Sequence, residues 1–468
     1  MNTKPVNNRK FLTGGALVLA ITASVFGQEK PATPPPTTTG EAATAGKPAA
    51  AASATDAQSV AQPAPEPGGV DKFLNGKIPE AFTKGKFNLN MRFRYEFADQ
   101  SNLPQDSNAA TLRTRFGFTT APLYGFQAMI EGENVVALNE YGSYNAAGSN
   151  GEPGRPVVAD PETTELNQVW LGYNYTNLLS AKLGRQRITL DNQRFIGDVA
   201  WRQNDQTFDA AGLELKPIKD VSLYYSYVWD VNRVFGDVPG LPPANTDFDS
   251  SSSIIHASYG GWKYGKFAAY AYLLDLQNAA GPNNSCASYG LSFSGSAPVG
   301  EKVKLEYRAE GAWQTDYAES ALNYEAPYCH FMLGADIKPV AFGAGYELLG
   351  SDNNVGFKTP LATLHAFDGW ADAFLNTPNA GLQDLYAYVQ VTLPKQIPLR
   401  FIYHKFDAAT GGGDFGHEFD VVISKKFGKH CNALVKYAYY LGDDAAPPAL
   451  TVPNVDIQKF WAQLEFNF

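Results

Sequence analysis

The feature that most constrains this chain is a strict alternation of apolar and polar residues that begins near Phe87. The apolar positions are Phe87, Leu89, Met91, Phe93, Tyr95 and Phe97, with Asn88, Asn90, Arg92, Arg94 and Glu96 between them. A period of two gives a β-strand one apolar face and one polar face. A strand of about 9–11 residues is long enough to cross a membrane, and this stretch reaches that length.

The alternation recurs to the end of the chain, where the last run goes from Phe460 to the terminal Phe468. A terminal Phe resembles the C-terminal signature of bacterial outer-membrane barrels. We count roughly 18 such segments, a number within the range of single-chain bacterial barrels. They begin near residues 87, 111, 126, 166, 181, 207, 221, 253, 266, 287, 304, 328, 340, 384, 399, 417, 432 and 459.

The connections between these segments alternate in length. Long connections at residues 99–109, 138–164, 188–206 and 231–252 take turns with short ones at 120–125, 176–180, 217–220 and 260–265. Outer-membrane barrels have short periplasmic turns and longer extracellular loops, whereas a soluble sandwich has no reason to sort its loops in this way. We therefore predict an all-β fold, a transmembrane antiparallel β-barrel of about 18 strands.

A closed barrel pairs every backbone N–H and C=O group inside the protein, as lipid requires. Barrels of sixteen to eighteen strands leave an aqueous channel, whereas eight-stranded barrels are filled by side chains. The polar strand faces are thus expected to line water. They carry the arginines that we predict to face the lumen from the strands, namely Arg92, Arg94, Arg113, Arg115 and Arg308.

Composition excludes several other classes. No apolar run of about 18 residues exists beyond the N-terminus, which excludes a helical membrane protein. The mean hydropathy of −0.26 agrees with a barrel whose polar lumen offsets its lipid-facing side. Cys286, Cys329 and Cys431 are odd in number and far apart, so we interpret them as incidental rather than as a disulfide or metal framework.

The N-terminal region divides into two segments ahead of the barrel, which we assign to residues 86–468. Residues 1–27 have a basic start and a short apolar core and predict a secretory signal peptide. Residues 28–85 are rich in Ala, Pro and Thr, and we expect a disordered periplasmic segment. Removing residues 1–27 leaves 34 basic against 47 acidic residues, and this acidic balance argues against nucleic-acid binding.

One stretch, residues 183–215, is crowded with opposite charges. Its connection, residues 188–206, is long enough to fold into the lumen and narrow it. The charged residues of the stretch include Arg185, Arg187, Arg194 and Arg202, together with Asp191, Asp198, Asp205 and Asp209. Two interpretations stay open and can coexist: the arginines pair with these aspartates and fix the loop, or they pair with a passing carboxylate. Residues 351–383 form a second long connection, with roughly helical spacing of apolar residues, that can cap or constrict the lumen.

The chain resembles the alginate-export family of outer-membrane barrels. The resemblance is carried by GRQRITLDNQRFIGDVAWRQNDQTFDA at residues 184–210, and residues 357–386 look similarly family-like. It implies an 18-stranded barrel with an arginine-lined lumen that passes an anionic uronate polysaccharide. At matching positions it implies that Arg185, Arg187, Arg194 and Arg202 are lumen cations and that Asp191, Asp198 and Asp209 are their partners.

From these observations we expect a passive outer-membrane channel for an anionic saccharide or polysaccharide, or alternatively a general or small-solute uptake porin. No recognisable Ser/His/Asp arrangement, zinc motif, Walker loop or dinucleotide fingerprint occurs, so we expect no catalytic residues, no metal site and no cofactor. The expected partners are outer-membrane lipid, the solute and, for an exporter, periplasmic export components, but no nucleic acid.

Overall fold

The computed structural model describes residues 77–238, 241, 246–278, 282–443 and 454–468. The expected signal peptide and most of the expected periplasmic segment, residues 1–76, lie outside the described residues. Cys286, Cys329 and Cys431 are all free thiols.

Eighteen long strands form one sheet, and a two-stranded hairpin stands apart from it. The first nine barrel strands are β1 (Lys86–Gln100), β2 (Ser107–Thr119), β3 (Phe126–Ala137), β4 (Thr163–Tyr175), β5 (Leu179–Gln186), β6 (Thr207–Leu215), β7 (Val221–Asn232), β8 (Asp247–Trp262) and β9 (Gly265–Leu274). They are followed by β10 (Cys286–Val299), β11 (Val303–Asp316), β12 (Glu325–Ile337), β13 (Val340–Leu349), β16 (Leu382–Leu393), β17 (Ile397–Asp407), β18 (Asp414–Phe427), β19 (Cys431–Gly442) and β20 (Ile457–Asn467). The separate hairpin is β14 (Ser351–Asp352) with β15 (Val355–Gly356).

The sheet closes on itself. Each barrel strand pairs antiparallel with the next along the chain, and β20 pairs antiparallel with β1, placing Phe466 opposite Met91 and Phe460 opposite Phe97. Closure leaves no unpaired edge. The predicted all-β, antiparallel, 18-stranded barrel is therefore confirmed, and the closing strand is the one that ends the chain.

The alternation in the sequence separates the two faces of the wall. In β1, Arg92, Arg94 and Glu96 are buried on the inner face, while Phe93, on the outer face, exposes 38% of its surface. In β10, Leu291 is 69% exposed whereas Ser292 is buried. Large apolar side chains exposed at every second position are what a wall against lipid requires.

The connections follow the predicted order. The loops at residues 138–162, 187–206 and 350–381 leave one end of the barrel, and the short turns at 176–178, 338–339 and 394–396 leave the other. We call the first end extracellular and the second periplasmic. Residues 364–366 of the 350–381 loop form a single 3-10 turn, so the helical spacing noted there produces one turn and no longer helix. Two further 3-10 turns are Tyr141–Ser143 and Pro282–Asn284.

Residues 77–83, the last part of the segment expected to be disordered, form a short helix. Its Phe82 ring stacks on Phe118 with centroids 6.1 Å apart, and Ala121 donates its N–H to the Ala81 carbonyl at 2.8 Å. Phe118 lies on the outer face, so the chain approaches β1 along the outside of the periplasmic rim. No helix of the described residues is both long and apolar enough to span a membrane.

Candidate functional site

Two extracellular loops turn back into the barrel. We call residues 187–206 loop A and residues 350–381 loop B. They pair with each other directly: Gly197 donates its N–H to the Leu361 carbonyl at 2.9 Å, and Thr363 donates to the Gln193 carbonyl at 3.0 Å. The Gln206 amide also donates to Leu361, at 3.1 Å. Since each loop satisfies backbone groups of the other, the two form one unit inside the lumen.

Aromatic packing fixes one side of this unit to the wall. The Phe195 ring of loop A lies 5.2 Å from Tyr270 and 5.2 Å from Tyr328, centroid to centroid, and 5.8 Å from Phe357 of loop B. Phe195 is 7% exposed and Phe357 is fully buried. Aromatic pairs at such distances contribute beyond the area that they bury, so β9 and β12 hold the loops by apolar contact.

A buried cation surrounded by tryptophans fixes the other side. The Nζ of Lys436, on β19, lies 3.6 Å from the Trp370 ring centroid of loop B and 4.3 Å from that of Trp201 in loop A. It donates to His365 Nε2 at 2.7 Å, so His365 Nδ1 carries the hydrogen and donates to Asp372 at 2.6 Å. Burial keeps the pKa of His365 well below its usual value despite the neighbouring Asp372, which agrees with a neutral imidazole in this chain of hydrogen bonds.

The four predicted arginines of β1 and β2 all point into the lumen and bind the end of loop A. Arg92 donates to the Ala200 carbonyl at 2.9 Å, and Arg94 donates to the Trp201 carbonyl. Both Arg113 and Arg115 donate to the Gln203 carbonyl, at 3.3 and 3.1 Å. The four guanidiniums therefore supply hydrogen bonds to backbone carbonyls at the end of loop A, which no neighbouring strand pairs with.

Each of these arginines also pairs with an acid. The partners are Glu465 for Arg92 and Arg113, Asp160 for Arg94, and Glu133 with Asp205 for Arg115. The acids come from the strand faces and from residues 138–162 as well as from loop A. Of the predicted acids, only Asp205 takes part in this cluster. Burial raises the pKa of Asp205, but Arg115 and Arg187 outweigh it and lower that pKa to about 2, so Asp205 stays ionised.

The two arginines inside loop A cross-link it to the barrel and to loop B. Arg194 bonds Glu347 of β13 at 2.6 Å and Asp368 of loop B at 2.8 Å. Arg202 pairs with Glu96 of β1 at 3.1 Å and with Asp372 of loop B at 3.0 Å. Arg194 is 1% exposed and Arg202 is 6% exposed. Both guanidiniums are therefore nearly shielded from water and are compensated by the acids that they contact.

Arg185 and Arg187, two residues apart, have opposite surroundings. Arg187 faces the lumen, pairs with Asp205 and Glu131, and leaves 31% of its side chain exposed. Arg185 lies opposite the exposed Val169 on the outer face and grips Asp209 through two bonds of 2.8 and 3.0 Å. The structure thus brings Arg187 to the lumen and leaves Arg185 with Asp209 on the outer wall.

The remaining predicted residues have local partners. Arg308 on β11 faces the lumen and donates to Glu310 at 2.6 Å and to Asn192 of loop A at 3.0 Å. Asp191 pairs with His256 at 2.8 Å and Lys266 at 3.0 Å. Burial raises the pKa of Asp191, but these two partners outweigh it and hold that pKa below its usual value. Asp198 accepts the Ala200 N–H at 3.3 Å.

Sequence reasoning missed most of the acids that the arginines use. Glu96, Glu133, Glu310, Glu347 and Glu465 lie on polar strand faces, where the same alternation that marked the arginines also marks them. Asp160, Asp368 and Asp372 lie in irregular loops, and no periodicity singles them out. Their role depends on loops that approach each other only in the folded barrel.

Comparison with known proteins agrees with this architecture. The profile of the family described as Alginate export matches residues 83–348. No curated protein sequence matches the chain.

Solved structures share the fold. OpdK of Pseudomonas aeruginosa, solved with vanillate, superposes with a TM-score of 0.63 at 13% identity, covering 83% of this chain and 99% of that chain. OccAB2 of Acinetobacter baumannii gives 0.64 at 13% identity, with 83% and 99% covered, and OccK9 (OpdG) of Pseudomonas aeruginosa gives 0.62 at 14%, with 83% and 100% covered. The family match spans more than half of the chain, and this protein therefore belongs to the alginate export family of bacterial outer-membrane β-barrels.

Proposed function

We propose that this outer-membrane channel passes anionic saccharides, alginate-like uronates among them, along an arginine-lined lumen, without chemistry of its own. The observation that supports the proposal is the convergence of Arg92, Arg94, Arg113, Arg115, Arg187, Arg194, Arg202 and Arg308 on one region of the lumen around loop A. Arginine presents a planar fork of donors that matches a carboxylate. Rings of such charges set the selectivity of pores.

These arginines all have acid partners and differ in how exposed they are. Arg94, Arg113, Arg194 and Arg202 are enclosed, and their donors fix loops A and B. Arg187 keeps nearly a third of its side chain accessible, so in this proposal it meets the solute directly. The two interpretations of the charged stretch therefore coexist in this proposal. The enclosed arginines pair with acids and fix the loops, and the accessible Arg187 binds the carboxylate of the solute.

The size of the solute follows from the loops. Loops A and B together contact many strands of the wall, including β1, β2, β9, β12, β13 and β19, and so narrow the extracellular half of the lumen. This narrowing favours short uronates of one or a few rings. Passage of a continuous polysaccharide requires the loops to leave the lumen, at the cost of the ion pairs described above.

Uptake of small solutes is the second candidate function. It is favoured by the shared fold with OpdK, whose solved structure holds vanillate, a small aromatic carboxylate. Short uronates and small aromatic acids both carry a carboxylate on a ring, so the arginine-lined passage suits either.

The test is electrophysiology of the purified protein in planar bilayers. We expect anion selectivity in a KCl gradient and current block by a uronate trimer but not by a neutral trisaccharide. Arg187→Gln is expected to reduce the anion selectivity, because it removes a lumen charge and leaves Glu131 and Asp205 less compensated.

Arg185→Gln is the matched control, since it removes the same side chain two positions away but on the outer face. Its selectivity is expected to equal that of the wild type. Cation selectivity of the wild type together with no block by any uronate would contradict the proposal.

A further inference from the structure

An apolar groove lies on the outer wall near the periplasmic end of the barrel, between the short helix of residues 77–83 and strands β2–β5. Its volume is about 450 Å³. The large apolar side chains that line it include Phe82, Phe118, Ile130, Val169, Leu171 and Leu183. The groove is outside the lumen and separate from the arginines described above.

The helix forms one wall of the groove. The Phe82 ring stacks on Phe118 of β2, and Phe118 also covers Gly85, where any Cβ would overlap its ring. Because Gly85 has no side chain, the end of the helix can lie close to β2. Phe82 still exposes 57% of its surface, and this ring lines the groove.

Strands β3–β5 form the floor of the groove. The strand register places Ile130 opposite Val169, and Leu171 opposite both Ala128 and Leu183. The four larger side chains are 40–55% exposed and belong to the lipid-facing side of the wall. Ala128 presents only a methyl group among them, so the floor is lower there.

The depth of the groove places it in the periplasmic leaflet of the membrane. Ile130 and Leu183 are each the fifth residue of a strand that follows a periplasmic turn. At about 3.3 Å per residue they lie roughly 13 Å along the strand from that turn, and less in height because the strands tilt. The apolar band of such barrels is about 25 Å tall, so the groove opens to the half of the bilayer nearer the periplasm.

The helix also brings positive charge to the periplasmic rim beside the groove. Glu80 pairs with Lys77 at 3.2 Å and with Lys84 at 2.5 Å, and both lysine side chains are largely exposed. One carboxylate therefore has two ammonium partners, which leaves a net positive charge. Lysine binds phosphate as a point charge, so this rim is complementary to the phosphate of a phospholipid headgroup.

We propose that the groove is a binding site for one glycerophospholipid of the periplasmic leaflet, with an acyl chain between Phe82 and the floor and the phosphate near Lys84. Side chains that border a gap lose dispersion contacts on that side, and acyl chains are the apolar groups that the surrounding membrane supplies. An acyl chain in the groove contacts protein on two sides, whereas one on the plain wall contacts protein on one side. The bound lipid therefore exchanges slowly and joins the helix to β3–β5.

The experiment counts the phospholipids that the purified full chain retains in mild detergent, by native mass spectrometry. We expect one glycerophospholipid on the wild-type barrel after the detergent has been stripped. Leu183→Trp fills the groove and is expected to lower the ratio of lipid-bound to lipid-free barrel about tenfold, which corresponds to roughly 1.4 kcal/mol. Phe82→Ala removes the helix side of the groove and is expected to lower the same ratio.

Leu291→Trp is the matched control. Leu291 is also exposed on the outer face, but on β10, away from the groove, so this variant should retain lipid as the wild type does. Heat-modifiable mobility on gels shows whether each variant still forms a barrel. The conductance should stay at the wild-type value in all of them, because the groove is outside the lumen.

Trypsin cleavage after Lys77 and Lys84 gives a second readout. Because the lipid joins the helix to the wall, cleavage is expected to be faster in Leu183→Trp than in Leu291→Trp. Equal lipid retention or equal cleavage in these two variants would overturn the proposal, as would a wild-type barrel that retains only detergent. Retention of lipopolysaccharide in place of a glycerophospholipid would also overturn it, because that lipid occupies the extracellular leaflet.

Discussion

The two halves of the lumen are built on the same alternating strands but stabilise their polar side chains in opposite ways. In the extracellular half, Arg194 pairs with two acids and Arg202 with three, and both link loops A and B to the wall. In the periplasmic half, Arg400 and Lys182 lie on aromatic rings and have no acid at ion-pair distance among the described residues. We therefore expect the availability of a lumen cation to a solute to depend on its exposure and on the acids that already pair with it.

The difference follows from the cost of burial. An enclosed charge must be paired, because removing it from water costs several kcal/mol. The loops enclose the extracellular arginines, so acids must be present beside them. Near the mouth, Arg400 and Lys182 are only partly buried, so contact with an aromatic ring is enough to position each cation without an acid.

The largest expected effect comes from breaking the enclosed network. Arg202→Met removes the ion-pair partner of Glu96 and leaves that buried carboxylate uncompensated, whereas Asp372 keeps Lys459 and His365 as partners. We expect the free energy of unfolding to fall by about 3–5 kcal/mol and the single-channel conductance to rise as loop A detaches. Urea titration in detergent and bilayer recordings measure the two quantities. A conductance equal to that of the wild type would show that this ion pair does not fix the loop.

A smaller effect is expected from pH. Burial raises the pKa of Asp368 to about 7, against the opposing influence of Arg194. A raised carboxyl pKa means that the folded state holds the proton more tightly than the unfolded state, so this group's stabilisation is present at low pH and is lost as pH rises through 7. Loop B should therefore fluctuate more at pH 8 than at pH 6, seen as current noise, and Asp368→Asn should remove the difference. Equal noise at both pH values in the wild type would contradict this assignment.

The smallest effect is expected at the periplasmic rim. Lys216 and Glu214 form a pair of 2.9 Å in which 51% and 33% of the two side chains are exposed. Lys216→Gln should change the free energy of unfolding by less than about 1 kcal/mol and leave the conductance unaltered. If Lys216→Gln lowered the free energy of unfolding as much as Arg202→Met, burial would not determine how much an ion pair contributes. The comparison between buried and exposed pairs would then be wrong.

The sequence by itself determined the wall of this protein. Alternation along each strand fixes which side chain meets lipid and which meets the lumen, because successive residues of a strand point to opposite faces. The number of strands, the alternation of long and short connections, the closing strand and the inward direction of Arg92, Arg94, Arg113, Arg115 and Arg308 all follow from that local rule. Arg185 was predicted to face the lumen from the family resemblance, and that prediction is wrong. Its register position opposite Val169 places it on the outer wall.

Only the tertiary structure decided what the lumen contains. The pairing of Gly197 with Leu361 and the contacts of Asp368 and Asp372 with the arginines of loop A join residues far apart in the chain. Loops have no repeating pattern, so their contacts depend on the closed shape of the barrel that encloses them. The alternation along each strand specifies the two faces of the barrel wall. Which cations a solute can reach depends on where loops A and B lie in the lumen.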